Sequence, residues 1–206
     1  MGSYSIQSIV DSVEAILEDE SNERWTPDDF VTYCNRGMEK ICAIKPDAYT
    51  VRENVTLVAG TVQSLPARRH RLIRPIRNMG SSGNQPGASI RYVTFDMLND
   101  FSPDWHSADN ADEVDDVLYD SNHPLEFWVS PPAHGKKIEL LMAAIPDAVT
   151  IEGTLPILDI YRTPLIYLMC GYAHQANRND VEIVKSKEFI GMAMMELGVQ
   201  VQGEQK

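Results

Sequence analysis

Arg68, Arg69, Arg71, Arg74 and Arg77 crowd into ten residues, with His70 among them. They are five of the 18 Lys and Arg side chains in a 206-residue chain of formal net charge −12. Arginine's planar fork donates paired hydrogen bonds to a phosphate or a carboxylate. Three readings follow: contact with nucleic-acid phosphates, pairing with carboxylates of this chain or of a neighbouring subunit, or a solvated loop. In a strand, alternation would send these side chains to both faces; in a loop they would fan out. The matching carboxylates lie at 109–120, where Asp109, Asp112, Glu113, Asp115, Asp116 and Asp120 occur without a base. This run is not a calcium loop, because its acids do not sit on alternate positions around a central glycine.

Other chemistry-bearing residues are dispersed. Residues 80–87 are glycine-rich but lack the Gly-Lys-Ser/Thr ending of a phosphate loop, and they lead into strand-like residues. His70, His106, His123, His134 and His174 form no H-E-x-x-H, and no Gly-x-Ser-x-Gly occurs. Cys34, Cys42 and Cys170 are too scattered for a zinc site or a disulfide framework and read as buried, reduced thiols. The chain is expected to be no enzyme and to need no metal or cofactor. Trp25, Trp105 and Trp128 suit core or interface pockets. Met192, Met194 and Met195 suit core packing or an adaptable binding surface. The candidate interface residues are therefore Arg68, Arg69, Arg71, Arg74, Arg77, Asp112, Glu113, Asp115, Asp116, Trp105, Met192 and Met195.

Composition sets bounds on the partners. Hydrophobic residues are 43% and charged residues 23%, an ordinary globular balance. So acidic a surface repels nucleic acid on average. The first twenty residues carry five acids and no Lys or Arg, the reverse of a signal peptide's cationic start. No apolar run nears the roughly 20 residues needed to span a bilayer, and no membrane partner is expected.

The elements that position these residues follow from periodicity. Ile6, Ile9, Val10, Val13, Ile16 and Leu17 make one apolar stripe of a helix over 3–20. Thr26-Pro27-Asp28-Asp29 starts a second helix, which runs to about Ile44 and ends at Lys45-Pro46. The middle is β-rich. Val55 and Leu57, the Ala59-Gly60 turn and Thr61 to Leu65 read as a hairpin. A cationic segment follows Pro66, and Leu72 to Ile76 is a further strand. Residues 80–87 read as a flexible loop, 88–94 as a strand, and 95–101 as one helical turn capped by Asp96. Leu125 to Ser130 is a strand with Lys136 to Ile145 as its partner. From Asp159 the chain is helical again, with a turn at 177–180, a last helix over 181–197 stopped by Gly198, and a polar tail at 199–206. The expected fold class is α+β: a mainly helical bundle of two N-terminal and two C-terminal helices (3–48 and 159–198) with a large β-rich insertion (49–158), all one domain.

Several fragments carry a resemblance that spans nearly the whole chain. They are Trp25-Thr26, Asn35-Arg36-Gly37, Lys45-Pro46-Asp47-Ala48, Ala59-Gly60-Thr61 with Gln63 and Leu65-Pro66, and Arg77-Asn78. Pro103-Asp104-Trp105-His106 follows, then Pro124, Phe127, Pro131-Pro132-Ala133, Pro146, and Tyr161 with Tyr167 and Tyr172. In this order they resemble the head–tail adaptor (connector) proteins of tailed phages. The resemblance implies a non-enzymatic virion protein made in the bacterial cytoplasm. It would form a homo-oligomeric ring of about twelve copies, matched to the portal, and bind the portal on one side and tail proteins on the other. It also implies that packaged DNA passes through the lumen without specific binding. The family has no active-site set to carry over. The alternative reading is a nucleic-acid-binding module that uses Arg68 to Arg77.

Overall fold

The computed structural model describes residues 3–176 and 180–199. The turn expected at 177–180 and the tail expected at 199–206 lie outside the described residues except for Asp180 and Val199. The protein is α+β. Among the described residues there are five α-helices and two sheets, and the chain divides into two compact units, 1–49 with 145–206, and 50–144.

The first unit holds α1 (Ile6–Leu17), α2 (Pro27–Ile44), α4 (Arg162–Ala176) and α5 (Asp180–Glu196). Ser5 caps α1, and Glu18 stops it in the left-handed region at φ 55°. Ile6, Ile9, Val10 and Val13 are buried as their spacing requires, whereas Ile16 is 44% exposed. Asp19, itself buried, accepts the backbone N–H groups of Glu23, Arg24 and Trp25 and so shapes the link to α2. Thr26 and Asp29 form a reciprocal capping box at the start of α2, a firmer start than charge alone provides. α4 is buried nearly all round and packs against α1, α2 and α5. At Gly37 a Cβ would lie 2.6 Å from Leu165 Cδ1, so glycine sets how closely α2 and α4 approach. Gly198, at φ 67°, follows α5 as its spacing predicts.

Residues 145–158 belong to this unit and fasten its ends together. Asn35 takes the Val149 backbone in a two-point clamp, donating to its carbonyl and accepting from its N–H. Ile6 N–H donates to Gly153 O, and Leu155 N–H to Tyr4 O.

The second unit is built of two packed sheets. One orders β1 (Thr50–Thr56), β7 (Lys137–Ala144) and β3 (Arg69–Asn78), all antiparallel. The other orders β2 (Val62–Ser64), β6 (Glu126–Ser130), β5 (Asp116–Leu118) and β4 (Arg91–Tyr92), with only the β4–β5 pair parallel. Val55, Leu57, Leu72, Ile138, Leu140 and Met142 from the first meet Val117, Phe127 and Val129 from the second in one core. The helix α3 (Phe95–Phe101) closes a smaller cluster of Leu98, Trp105 and Leu118.

Both expected hairpins are corrected here. β1 and β2 flank the Ala59-Gly60 turn yet pair with β7 and β6, in different sheets. In place of a ladder, the buried Gln63 side chain accepts from Val58 N–H and donates to Val58 and Gly60 carbonyls. Likewise β6 and β7 are central strands of separate sheets rather than partners. In each case the short connection, 57–61 or 131–136, hands the chain from one sheet to the other instead of folding it back on its neighbour. Thr94, not Asp96, caps α3 by accepting from Met97 N–H. The loop expected to be flexible at 80–87 is tethered, with Gly83 O accepting from Asn54 and Gly87 N–H donating to Asn78 O.

Cys34, Cys42 and Cys170 are free and buried. Burial pushes their thiols up to about 12, about 11 and about 12 respectively. A thiol reagent at mildly alkaline pH should leave all three unlabelled in the native protein and modify all three in denaturant. Rapid labelling of the native state would contradict this packing.

Candidate functional site

The arginine cluster lies inside a strand, not in a loop before one. Ten residues of β3 run against seven of β7, because the register slips by one residue three times, at His70, Ile73 and Ile76. Each slip is a β-bulge that leaves an extra residue without a cross-strand partner. As a result Arg71, Arg74 and Arg77 stand opposite Ala143, Leu141 and Glu139, alternate residues of β7, and share one face. Leu72, Pro75 and Asn78 stand opposite Met142, Leu140 and Ile138 on the core face, and all three are buried. The sequence repeats with period three, and the bulges convert that into the period two a sheet needs.

This face carries an ion triad. Arg52 on β1 and Arg77 on β3 each donate to Glu139 on the central strand, at 2.6 and 2.7 Å. Glu139 is only 8% exposed. Hydrogen bonding from Arg52, reinforced by Arg77, holds its carboxyl below the usual carboxylate range. Arg71 and Arg74 are exposed beside the triad. Among the described residues no carboxylate lies within ion-pair distance of either. Arg69 faces the other way and grips Glu53 with two hydrogen bonds of 3.1 and 2.8 Å. Arg68 precedes β3 in the left-handed region, at φ 62°.

The acidic run is not wholly a solvated loop. Asp116 opens β5, is 5% exposed, and accepts from Arg91 at 2.8 and 2.9 Å. Asp112 is exposed and pairs with Lys136 at 2.7 Å. Glu113 and Asp115 are exposed. The backbone beneath them is fixed: Ala111 N–H donates to Pro132 O, and Asp115 N–H to Ser130 O. Between them Asn78 clamps Val114 at two points, 2.8 and 2.9 Å.

Of the remaining candidates, Trp105 is 1% exposed; its indole N–H donates to Asn99 and its ring stacks on His106. Of the core or interface pockets expected for it, it fills this unit's own core, which corrects its place among the candidate interface residues. On α5, Met192 is half-buried and Met195 is 66% exposed. A recess of about 330 Å³ between α3 and β4 is lined by Arg91, Val93, Met97, Leu98, Phe101 and Asp116.

Sequence reasoning missed one arrangement. His174 and Glu182, eight residues apart on α4 and α5, form a buried hydrogen-bonded pair. The His174 hydrogen bond, together with the charges of His174 and Arg24, lowers the Glu182 carboxyl. Trp25 and Phe189 pack on the imidazole, which makes the pair part of the core. The only available signal was a polar residue within an otherwise apolar helix. Among the described residues no group of three or more His, Cys, Asp or Glu is placed to hold a metal ion, and no helix is long and apolar enough to cross a membrane.

What fold and site define is an α+β protein that displays charge on the outer face of a bulged sheet. The chain belongs to the SU10 adaptor protein family, whose model matches residues 4–204. That is the adaptor class its sequence resembles. A search of curated proteins finds no match.

Two substitutions test this architecture. Glu139→Gln leaves Arg52 and Arg77 facing each other without a counter-charge and should cost about 1–3 kcal/mol of stability at neutral pH. Because the folded carboxyl titrates below its ordinary value of about 4.5, its contribution is present above that value and lost as pH falls through the folded one. The deficit of the variant in denaturant melts should therefore shrink on acidification. Asn78→Ala strips partners from the buried Val114 N–H and C=O, and should cost about 1–3 kcal/mol while speeding amide exchange at Val114.

Proposed function

We propose that this protein is a structural component of a tailed-phage virion, a head–tail adaptor that forms an oligomeric ring between the portal and the tail and has no catalytic activity. The observation that carries the reading is the family match across 4–204, almost the full chain. Its partners are copies of itself, about twelve to match the portal's symmetry, the portal protein, and tail proteins. In this reading the helical ends make a bundle and the middle is its β-rich insertion, one domain in all. Packaged DNA passes through the lumen, where a net charge of −12 opposes phosphate contacts.

The charge layout supports a ring. Closed rings need heterologous contacts, one face of a subunit against a different face of the next. The chain supplies unlike faces, a cationic sheet and an acidic segment, each on a rigid backbone. Electron microscopy of the protein with its cognate portal, backed by solution mass, tests the proposal. A closed ring seated on the portal is the expected result, and a monomer that ignores the portal would overturn it.

A further inference from the structure

We infer that the exposed face of the β1–β7–β3 sheet is the subunit contact of that ring, and that it receives the acidic segment 109–115 of a neighbouring copy. This rests on the ring reading and names the two surfaces that would make it. The receiving surface is unusually specific. Two bulges, at Ile73 and Ile76, are needed to bring Arg71, Arg74 and Arg77 to one face. They place successive arginines opposite alternate residues of β7, roughly 7 Å apart along the strand. Arg77 and Arg52 share Glu139, which fixes one end of the row and leaves Arg71 and Arg74 as exposed donors. The strand backbone beneath them is already ordered, so the ordering cost of association is confined to the arginine side chains themselves.

The occupant follows from charge and rigidity. Asp109, Asp112, Glu113 and Asp115 are exposed on a backbone pinned at Ala111, Val114 and Asp115. Lys136 offsets one of them by pairing with Asp112, and Arg91 lies near enough to Asp115 to feel its charge. Glu113 and Asp115 flank the buried Val114 just before β5, so both carboxylates are exposed two residues apart. Paired Arg–carboxylate contacts are the geometry a guanidinium fork favours. Complementary charge of this kind sets register between subunits more than it adds affinity. Nucleic acid is the weaker match. A phosphate backbone is bound through many released counterions, and this face offers two uncompensated arginines on a chain of net charge −12.

Two charge-reversed variants decide the matter, Arg71→Glu with Arg74→Glu, and Glu113→Arg with Asp115→Arg. Each is first shown to melt like the parent, since all four side chains are exposed. Parent and variants are then imaged on the cognate portal and weighed by native mass spectrometry. The parent should form rings, each variant alone should lose them, and an equal mixture of the two should restore them by pairing reversed faces. Rings from either variant alone would overturn this interface and leave the ring reading standing. No ring from the parent would overturn both. Duplex DNA bound by the parent, released by Arg71→Glu with Arg74→Glu while rings persist, would reassign the face to phosphate.

Discussion

The second unit depends on how β3 lies against β7. Ten residues of one strand span seven of the other, and the alignment of Arg71, Arg74 and Arg77 comes from that mismatch. Without bulges, a strand reading Arg-His-Arg-Leu-Ile-Arg-Pro-Ile-Arg-Asn would bury some arginines and expose some of its apolar residues. With a bulge every third residue, Leu72, Pro75 and Asn78 all reach the core face, and the arginines between them all turn out. The arrangement also accommodates Pro75, which has no N–H for the ladder and is tolerated where pairing is irregular. Bulges add local twist, which suits a strand that must wrap a small two-sheet core.

The residues that carry the family resemblance turn out to be joints. Asn35 clamps Val149, Arg36 lies over the Tyr172 ring at 4.0 Å, and Gly37 admits Leu165. Asp47 accepts from the Tyr161 hydroxyl, and Ala48 O accepts from Leu158 N–H. Gln63 holds the 58–60 turn, Thr61 meets His106, and Asn78 holds Val114. In most of these, one marked fragment meets a second marked fragment or a backbone far along the chain. A buried amide that bonds a distant N–H and C=O is costly to replace, because both groups lose their partner at once. Such short, scattered fragments are thereby tied to one another through the fold.

This also explains what was legible in the sequence and what was not. Helix periodicity, the Thr26-Pro27 start, the buried all-round α4 and the Gly198 stop are local properties, and the chain shows them directly. Strand existence was legible too, since 50–56, 69–78, 126–130 and 137–144 are apolar and β-branched in part. Strand partners were not. The turn at Ala59-Gly60 looks like a hairpin turn because glycine supplies the needed positive φ, here 88°, but the choice between folding back and crossing over is made by Gln63 and by the distant strands β6 and β7. The arginine cluster was visible as charge and invisible as a face, because period three belongs to no regular strand. The sequence could not choose between a core and an interface pocket for Trp105, because its pocket is assembled from Leu98 and Leu118, on other elements.

The same logic separates the charges that hold the fold from those that are left over. Asp116, Glu139, Glu53 and Glu182 are engaged by Arg91, by Arg52 with Arg77, by Arg69, and by His174 with Arg24, and three of the four are nearly buried. A buried carboxylate that keeps its charge needs such a partner. Arg71 and Arg74 on one side, and Glu113 and Asp115 on the other, form no ion pair among the described residues. They are solvated, they are held on fixed backbone, and they are opposite in sign. Exposed pairs of this kind add little to the stability of a monomer. Their placement makes physical sense when the charges are to be met from outside, by a surface whose own spacing is just as fixed.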